Sequence, residues 1–155
     1  MIPDLSFPPK FSGAAQLHLF TRYGDPEAEG FAEKWITPWD VRIPYPWFPK
    51  EHILIHKHYR PLLDAAFRGL EMQGLHTEIK SFDGAFEIRP IKGSDAVLST
   101  HSWGCAVDLN AALNPFGSEG RWTEAFLEVM NSHHVFCGQQ WTGRKDPMHF
   151  AMVNG

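Results

Sequence analysis

At 155 residues, 43% hydrophobic, 14% aromatic and 21% charged, the chain is long enough to bury a real core and reads as one domain over 1–155. Its 14 basic and 18 acidic residues give a formal charge of −4, with no basic footprint for nucleic acid or for an anionic membrane surface. No apolar run is long enough for membrane insertion, and residues 1–9 lack the basic start and apolar core of a signal peptide; any work outside the cytoplasm then needs another exit route.

Eight of the twelve prolines fall in residues 1–50. Proline fixes φ and withholds a donor, so this stretch is expected as an extended wrap with at most short helices. Its aromatics, Trp35, Trp39, Tyr45, Trp47 and Phe48, either pack on the body or rim a cleft, with packing favoured. Helical spacing then runs through Ile55, Tyr59, Leu62, Leu63, Ala66, Phe67 and Leu70, with Gly74 as the stop and Pro61 either opening the regular part or bending it. Segments 76–80 and 86–91 favour strand, separated by a turn at Asp83-Gly84. A strand over 104–110 carries Asp108, a second helix covers 123–133 with Phe126, Leu127, Val129 and Met130 near one face, and a last strand over 148–153 holds His149. The sum is an α+β fold: a small, mostly antiparallel sheet with helices packed on one side.

Two cysteines, Cys105 and Cys137, are too few for a disulfide framework or a thiolate zinc site. Cys105 reads as a small buried side chain, and pairing with Cys137 stays open. His52 and His56 stand four apart with no glutamate between them, so the His52, His56 and His58 group is read as a solvated or packing face. His133-His134 suits the negative end of a helix. There is no Gly-rich phosphate loop, and Ser99 and Ser102 have no serine-protease context.

Chemistry concentrates in Ser99-Thr100-His101-Ser102-Trp103-Gly104-Cys105-Ala106-Val107-Asp108, answered by Asp146-Pro147-Met148-His149. Taken singly, His101, Asp108 and His149 read as a capping His, a turn Asp and a satisfied core His; taken together, two imidazoles and a carboxylate are what a catalytic zinc needs for three protein ligands, with a fourth position for water. His101 and Asp108 are seven residues apart, too far for adjacent turns of one helix. They suit a loop entering a strand, with Gly104 letting the backbone turn or approach closely. Asp146, three residues before His149, stands where it can take a proton from that water. Trp103 and Trp141 either border the cleft or only pack.

The pattern Ser99-x-His101-x-x-Gly104-x-Ala106-x-Asp108-Leu109-Asn110, followed by Asp146-x-x-His149-Phe150, resembles that of the zinc-dependent peptidoglycan peptidases. These include D-alanyl-D-alanine carboxypeptidases and dipeptidases and the L-alanyl-D-glutamate endopeptidases of phage endolysins. The likeness extends upstream through 84–94 and downstream through Asn114-Pro115 and 136–141, so the catalytic core spans about residues 55–152. The resemblance implies Zn2+, one per chain, on His101, Asp108 and His149; a catalytic acid/base at Asp146; and an arginine, best matched by Arg89, that contacts substrate and steadies developing charge. It implies a substrate or supporting hydrogen bond from Ser99; Trp103 and Trp141, where they border the cleft, are the further substrate-binding candidates. It also implies a hedgehog/DD-peptidase-like sheet carrying the zinc, a peptidoglycan stem peptide as the partner, and action at the cell wall by holin release or virion delivery. Aspartate at 146, where many members have glutamate, looks more like the endolysin branch that cuts L-Ala-D-Glu. The segment Cys137-Gly138-Gln139-Gln140-Trp141 departs from the family's Trp-Gly-Gly-x-Trp-like pattern, so the rim differs there. Two rivals remain: a D-Ala-D-Ala carboxypeptidase or dipeptidase, and a non-catalytic phage component that kept the zinc fold.

Overall fold

The structure is a computed structural model that describes residues 8–155; the first part of the expected N-terminal wrap, residues 1–7, lies outside the described residues. In chain order the elements are α1 (Ala14–Tyr23), α2 (Phe31–Trp35), β1 (Ile36–Trp39), β2 (Ile53–His56), α3 (Arg60–Met72), β3 (Phe82–Gly84), β4 (Ala106–Leu109), α4 (Glu124–Ser132), β5 (Phe136–Gly138) and β6 (Asp146–Ala151). They form an α+β fold with two antiparallel sheets, β1-β2 and β3-β4-β6-β5.

Helices α3 and α4 follow from their sequence. α3 opens with Pro61 in its first turn, where the missing N–H costs nothing, and it buries Leu63, Ala66, Phe67 and Leu70. α4 is capped by Thr123, whose Oγ1 accepts from Phe126 N at 3.2 Å, and it buries Phe126, Leu127, Val129 and Met130. Both helices contribute to one core cluster with Val107 and Leu109 of β4, Cys137 of β5 and Phe150 of β6. Each fully buried Phe or Leu there contributes about 1.5–3 kcal/mol. Trp39, Tyr45 and Phe48 join the same cluster, so those N-terminal aromatics pack on the body.

The N-terminal fifty residues hold more regular structure than their proline count suggests. Between Pro9 and Pro26 there is no proline, and Ala15, Leu19 and Tyr23 recur every four residues, enough to bury one face of the ten-residue α1. Leu19 and Tyr23 pack with Phe31, Trp103 and Cys105 in a second cluster against the loop that leads into β4.

The expected strands at 76–80 and 86–91 do not form. Asn110 takes over the backbone of the first: its Oδ1 accepts from Lys80 N at 2.7 Å and Ser81 N at 3.0 Å, and its Nδ2 donates to Glu78 O at 2.6 Å. The chain there makes a short 3-10 turn, Leu75–Glu78, and the strand falls instead on β3, across the expected Asp83-Gly84 turn. In 86–91 the backbone partners are scattered. Phe86 N donates to Leu54 O, Glu87 N to His101 O and Arg89 N to Ser102 Oγ, which leaves a bridge between Pro90 and Leu98 in place of a strand. The expected α3 start is also too early, because Ile55 belongs to β2.

The last residue of β2 is a buried imidazole that the site does not use. His56 is fully buried, stacked on Trp35 at 5.2 Å and tilted against Tyr23 at 4.1 Å, and its Nδ1 accepts from His58 N. Burial, with help from the charges of His58, Arg22 and Lys57, lowers its pKa to about 3. The unfolded chain, with a histidine near 6.5, binds the extra proton between these values, so this contribution to stability is lost as pH falls from about 6.5 toward 3. His56→Asn is expected to flatten the fall of the unfolding free energy across that window, by up to about 1.4 kcal/mol per pH unit, in denaturant titrations run from pH 7 downward.

Candidate metal centre and its cleft

Antiparallel pairing of β4 with β6 sets Asp108 directly opposite His149. Val107, Leu109 and Phe150 point into the helix-covered core, so strand alternation sends Asp108 and His149 to the other face. His101 comes from the 3-10 turn Thr100–Trp103 just before β4. That turn is capped by Ser99, whose Oγ accepts from His101 N at 3.2 Å. Gly104 closes it at φ 70°, a left-handed conformation that favours glycine. A Cβ at 104 would lie 2.6 Å from Ile36 Cδ1 and 3.0 Å from His56 N, and the glycine thus lets β1 and β2 press against the site loop.

Three ligand atoms converge. His101 Nε2 is 3.1 Å from Asp108 Oδ1 and 3.3 Å from His149 Nδ1, and His149 Nδ1 is 3.7 Å from Asp108 Oδ1. Ligands about 2.0–2.1 Å from a tetrahedral zinc stand about 3.3 Å apart, so the triangle has the size of one face of that coordination shell. The far nitrogens settle the tautomers. His101 Nδ1–H donates to Ala85 O at 2.7 Å, and His149 Nε2–H donates to Gly155 O at 2.8 Å with Thr100 Oγ1 at 3.2 Å. Each imidazole therefore turns a lone pair toward the other and toward a carboxylate, an arrangement that calls for a cation at the centre. Burial pushes the Asp108 carboxyl up, but the two imidazoles more than offset this and hold it below the usual carboxylate range. His101, Asp108 and His149 are all buried, and they are the His/Cys/Asp/Glu group among the described residues whose donor atoms close to metal-binding spacing. The donor set fits zinc.

A cleft of about 620 Å³ opens over His149 and is also lined by Arg89, Lys92, Ser99, Trp141 and Asp146. Asp146 begins β6; its Oδ1 is buried without a hydrogen-bond partner, and the nearest cation is Lys92 Nζ at 3.8 Å. Its backbone carbonyl is pressed against Gly138 of β5, where a Cβ would come within 2.3 Å of it. Arg89 Nη2 stands 3.7 Å from Asp108 Oδ2 and its Nε 3.4 Å from Glu87 Oε2. Its backbone is fixed at three points, by both directions of bonding to Ser102 Oγ and by Ser99 N donating to Arg89 O at 2.9 Å. Trp141 donates to Asn154 Oδ1, and its ring lies 5.6 Å from the His149 imidazole.

Trp103 is not brought to this cleft. It is wholly buried in the second core cluster, with its indole N–H donated to Gly24 O at 2.8 Å, so it holds α1's end to the site loop and is not at a substrate rim. Cys105 and Cys137 are free thiols, both buried; burial raises both, that of Cys137 to about 12. His52 is exposed beside Asp40, while His56 and His58 sit among the aromatics of α1 and α2. Sequence reasoning passed over the supports: Ser102 under Arg89, Thr100 beside His149, and the carbonyls of Ala85 and Gly155. It also passed over Lys92, Phe116 and Arg144 on the cleft wall. Backbone carbonyls carry no residue signature, and no spacing rule reaches them.

No helix among the described residues is long and apolar enough to cross a membrane. Comparisons with curated proteins and with solved structures give no match. Residues 92–152 match the model of a family described as D-alanyl-D-alanine carboxypeptidase. That stretch contains His101, Asp108, Asp146 and His149 together, and the match supports the family that the motifs resemble, the zinc peptidases of peptidoglycan.

Proposed function

We propose that this chain is a zinc endopeptidase that hydrolyses the L-Ala-D-Glu bond of peptidoglycan stem peptides. The observation that carries the reading is the juxtaposition of a zinc-sized His-Asp-His triangle and a buried carboxylate with a free oxygen, both at one cleft. His101, Asp108 and His149 would hold the metal, which supplies a Lewis acid and lowers the pKa of a water to about 7. Asp146 takes the proton from the attacking water and passes it to the leaving amine as the C–N bond breaks, so the two carboxylates have separate tasks. Arg89 faces the cleft with its guanidinium tethered between Glu87 and Asp108, and it steadies negative charge developing on the scissile carbonyl oxygen. Ser99 keeps the His101 turn in place, and Trp141 walls the side of the cleft next to His149. In this reading the protein reaches the wall through a holin or within a virion.

A D-Ala-D-Ala carboxypeptidase is the second reading, and the description of the matched family favours it. Product masses separate the two. Digestion of purified muropeptides is expected to release stem fragments cut at the L-Ala link; loss of a single terminal alanine would instead establish the carboxypeptidase. Asp146 lines the cleft together with His149 and its Oδ1 has no hydrogen-bond partner in the protein, which leaves that oxygen open to a substrate or a water and speaks against a purely structural role.

A further inference from the structure

We propose that Arg144, seated on the Phe116 ring that Lys92 also contacts, is a carboxylate-reading arm that selects substrates carrying a free carboxylate near the scissile bond. This rests on the peptidase reading and names a feature of its substrate. The chain is acidic overall, yet the cleft wall gathers three cations, Arg89, Lys92 and Arg144. Two of them have anionic neighbours: Arg89 is beside Glu87 and Asp108, and Lys92 is 3.8 Å from Asp146. Among the described residues, no carboxylate lies within ion-pair distance of Arg144.

Arg144 is nevertheless positioned. Its Cζ lies 4.4 Å from the centroid of the Phe116 ring, and Lys92 Nζ lies 5.2 Å from the same centroid. The two loops that carry Phe116 and Arg144 are tied where Gly117 N donates to Lys145 O at 2.7 Å. Stacking a guanidinium on an aromatic face leaves its in-plane N–H groups free, and that planar fork matches a carboxylate with two parallel hydrogen bonds. Arg144 is two residues before Asp146 in sequence, and Lys92 links the ring to the Asp146 carboxylate. The arm therefore reads the substrate on the Asp146 side of the cleft, next to the bond that is cut. A free acidic residue would be held there, and its amide would meet donors with no charge to satisfy them.

The test uses calorimetry on the zinc-loaded Asp146→Asn protein, with and without Arg144→Ala, so that peptides are bound and not consumed. The probes are L-Ala-D-Glu stem peptides in four forms, with the glutamate α-carboxyl free or amidated and the C-terminal carboxyl free or amidated. Arg144→Ala is expected to raise the Kd of a carboxylate-bearing peptide by about ten- to hundredfold. It should leave the Kd of the fully amidated peptide unchanged, and Arg144→Lys should recover part of the loss. The form that loses affinity names the source of the carboxylate, internal residue or chain terminus. Equal effects on all four forms, no effect, or no binding of any form overturns the proposal. If the wild-type protein cuts none of these peptides but binds the acidic ones through Arg144, the peptidase reading falls and the carboxylate-reading arm stands.

Discussion

Asp146→Asn is expected to lower hydrolysis of peptidoglycan by at least about 10²–10⁴-fold while the protein stays folded and keeps its zinc. The substitution keeps the shape of the side chain and removes only its capacity to accept a proton. Nothing in the fold depends on that capacity: Oδ1 has no hydrogen-bond partner, and the one cation beside it, Lys92, is 3.8 Å away and partly exposed. A pair of this kind is worth about 0–1 kcal/mol, so the unfolding midpoint should hardly move. Loss of activity with unchanged stability and unchanged metal content assigns the carboxylate to the chemistry. Loss of metal along with activity would assign Asp146 to the ligand set, and undiminished turnover would remove it from the mechanism. The backbone at 146 is held by close packing on Gly138, and the variant therefore tests the side chain without moving the strand.

The second large effect concerns stability. Zinc that binds the folded chain and not the unfolded one stabilises it by about 4 kcal/mol at a thousandfold excess over Kd. For a chain of this length each kcal/mol moves the melting temperature by about 2–4 °C, so saturating zinc should raise it by roughly 10 °C. The metal would tie together the turn before β4, β4 itself and the distant β6. His149→Ala or His101→Ala should abolish this rise, since either removes one corner of the 3.1–3.7 Å triangle. Scanning calorimetry with and without zinc reads the effect directly. An undiminished zinc shift in both variants would place the metal elsewhere.

The His101, Asp108 and His149 cluster could be read from the sequence because the chemistry of these residues and their local pattern coincide. The strand carrying Asp108 was legible by its alternation and a last strand holding His149 was expected, and their pairing as neighbours brings the two residues together. The helical spacing of Leu63, Ala66, Phe67 and Leu70 was an equally local signal. What was illegible depends on contacts between distant residues. Asn110 captures the backbone of 78–81 from thirty residues away, and no propensity of 76–80 announces it. Arg89 lies in a segment that reads as a strand, yet Ser99 and Ser102 hold it in an irregular course that points it at the cleft. Trp103 lies two residues from His101 in sequence and still faces the core, because the 3-10 turn sends nearby side chains in different directions. Proline counts averaged over fifty residues hid α1, which occupies the one long proline-free window there.

The most direct measurement is digestion of purified peptidoglycan by chelator-stripped protein, before and after one equivalent of zinc is returned. The account predicts no release of stem fragments from the stripped protein and full recovery with a single equivalent. Release by the metal-free protein at the same rate would contradict it.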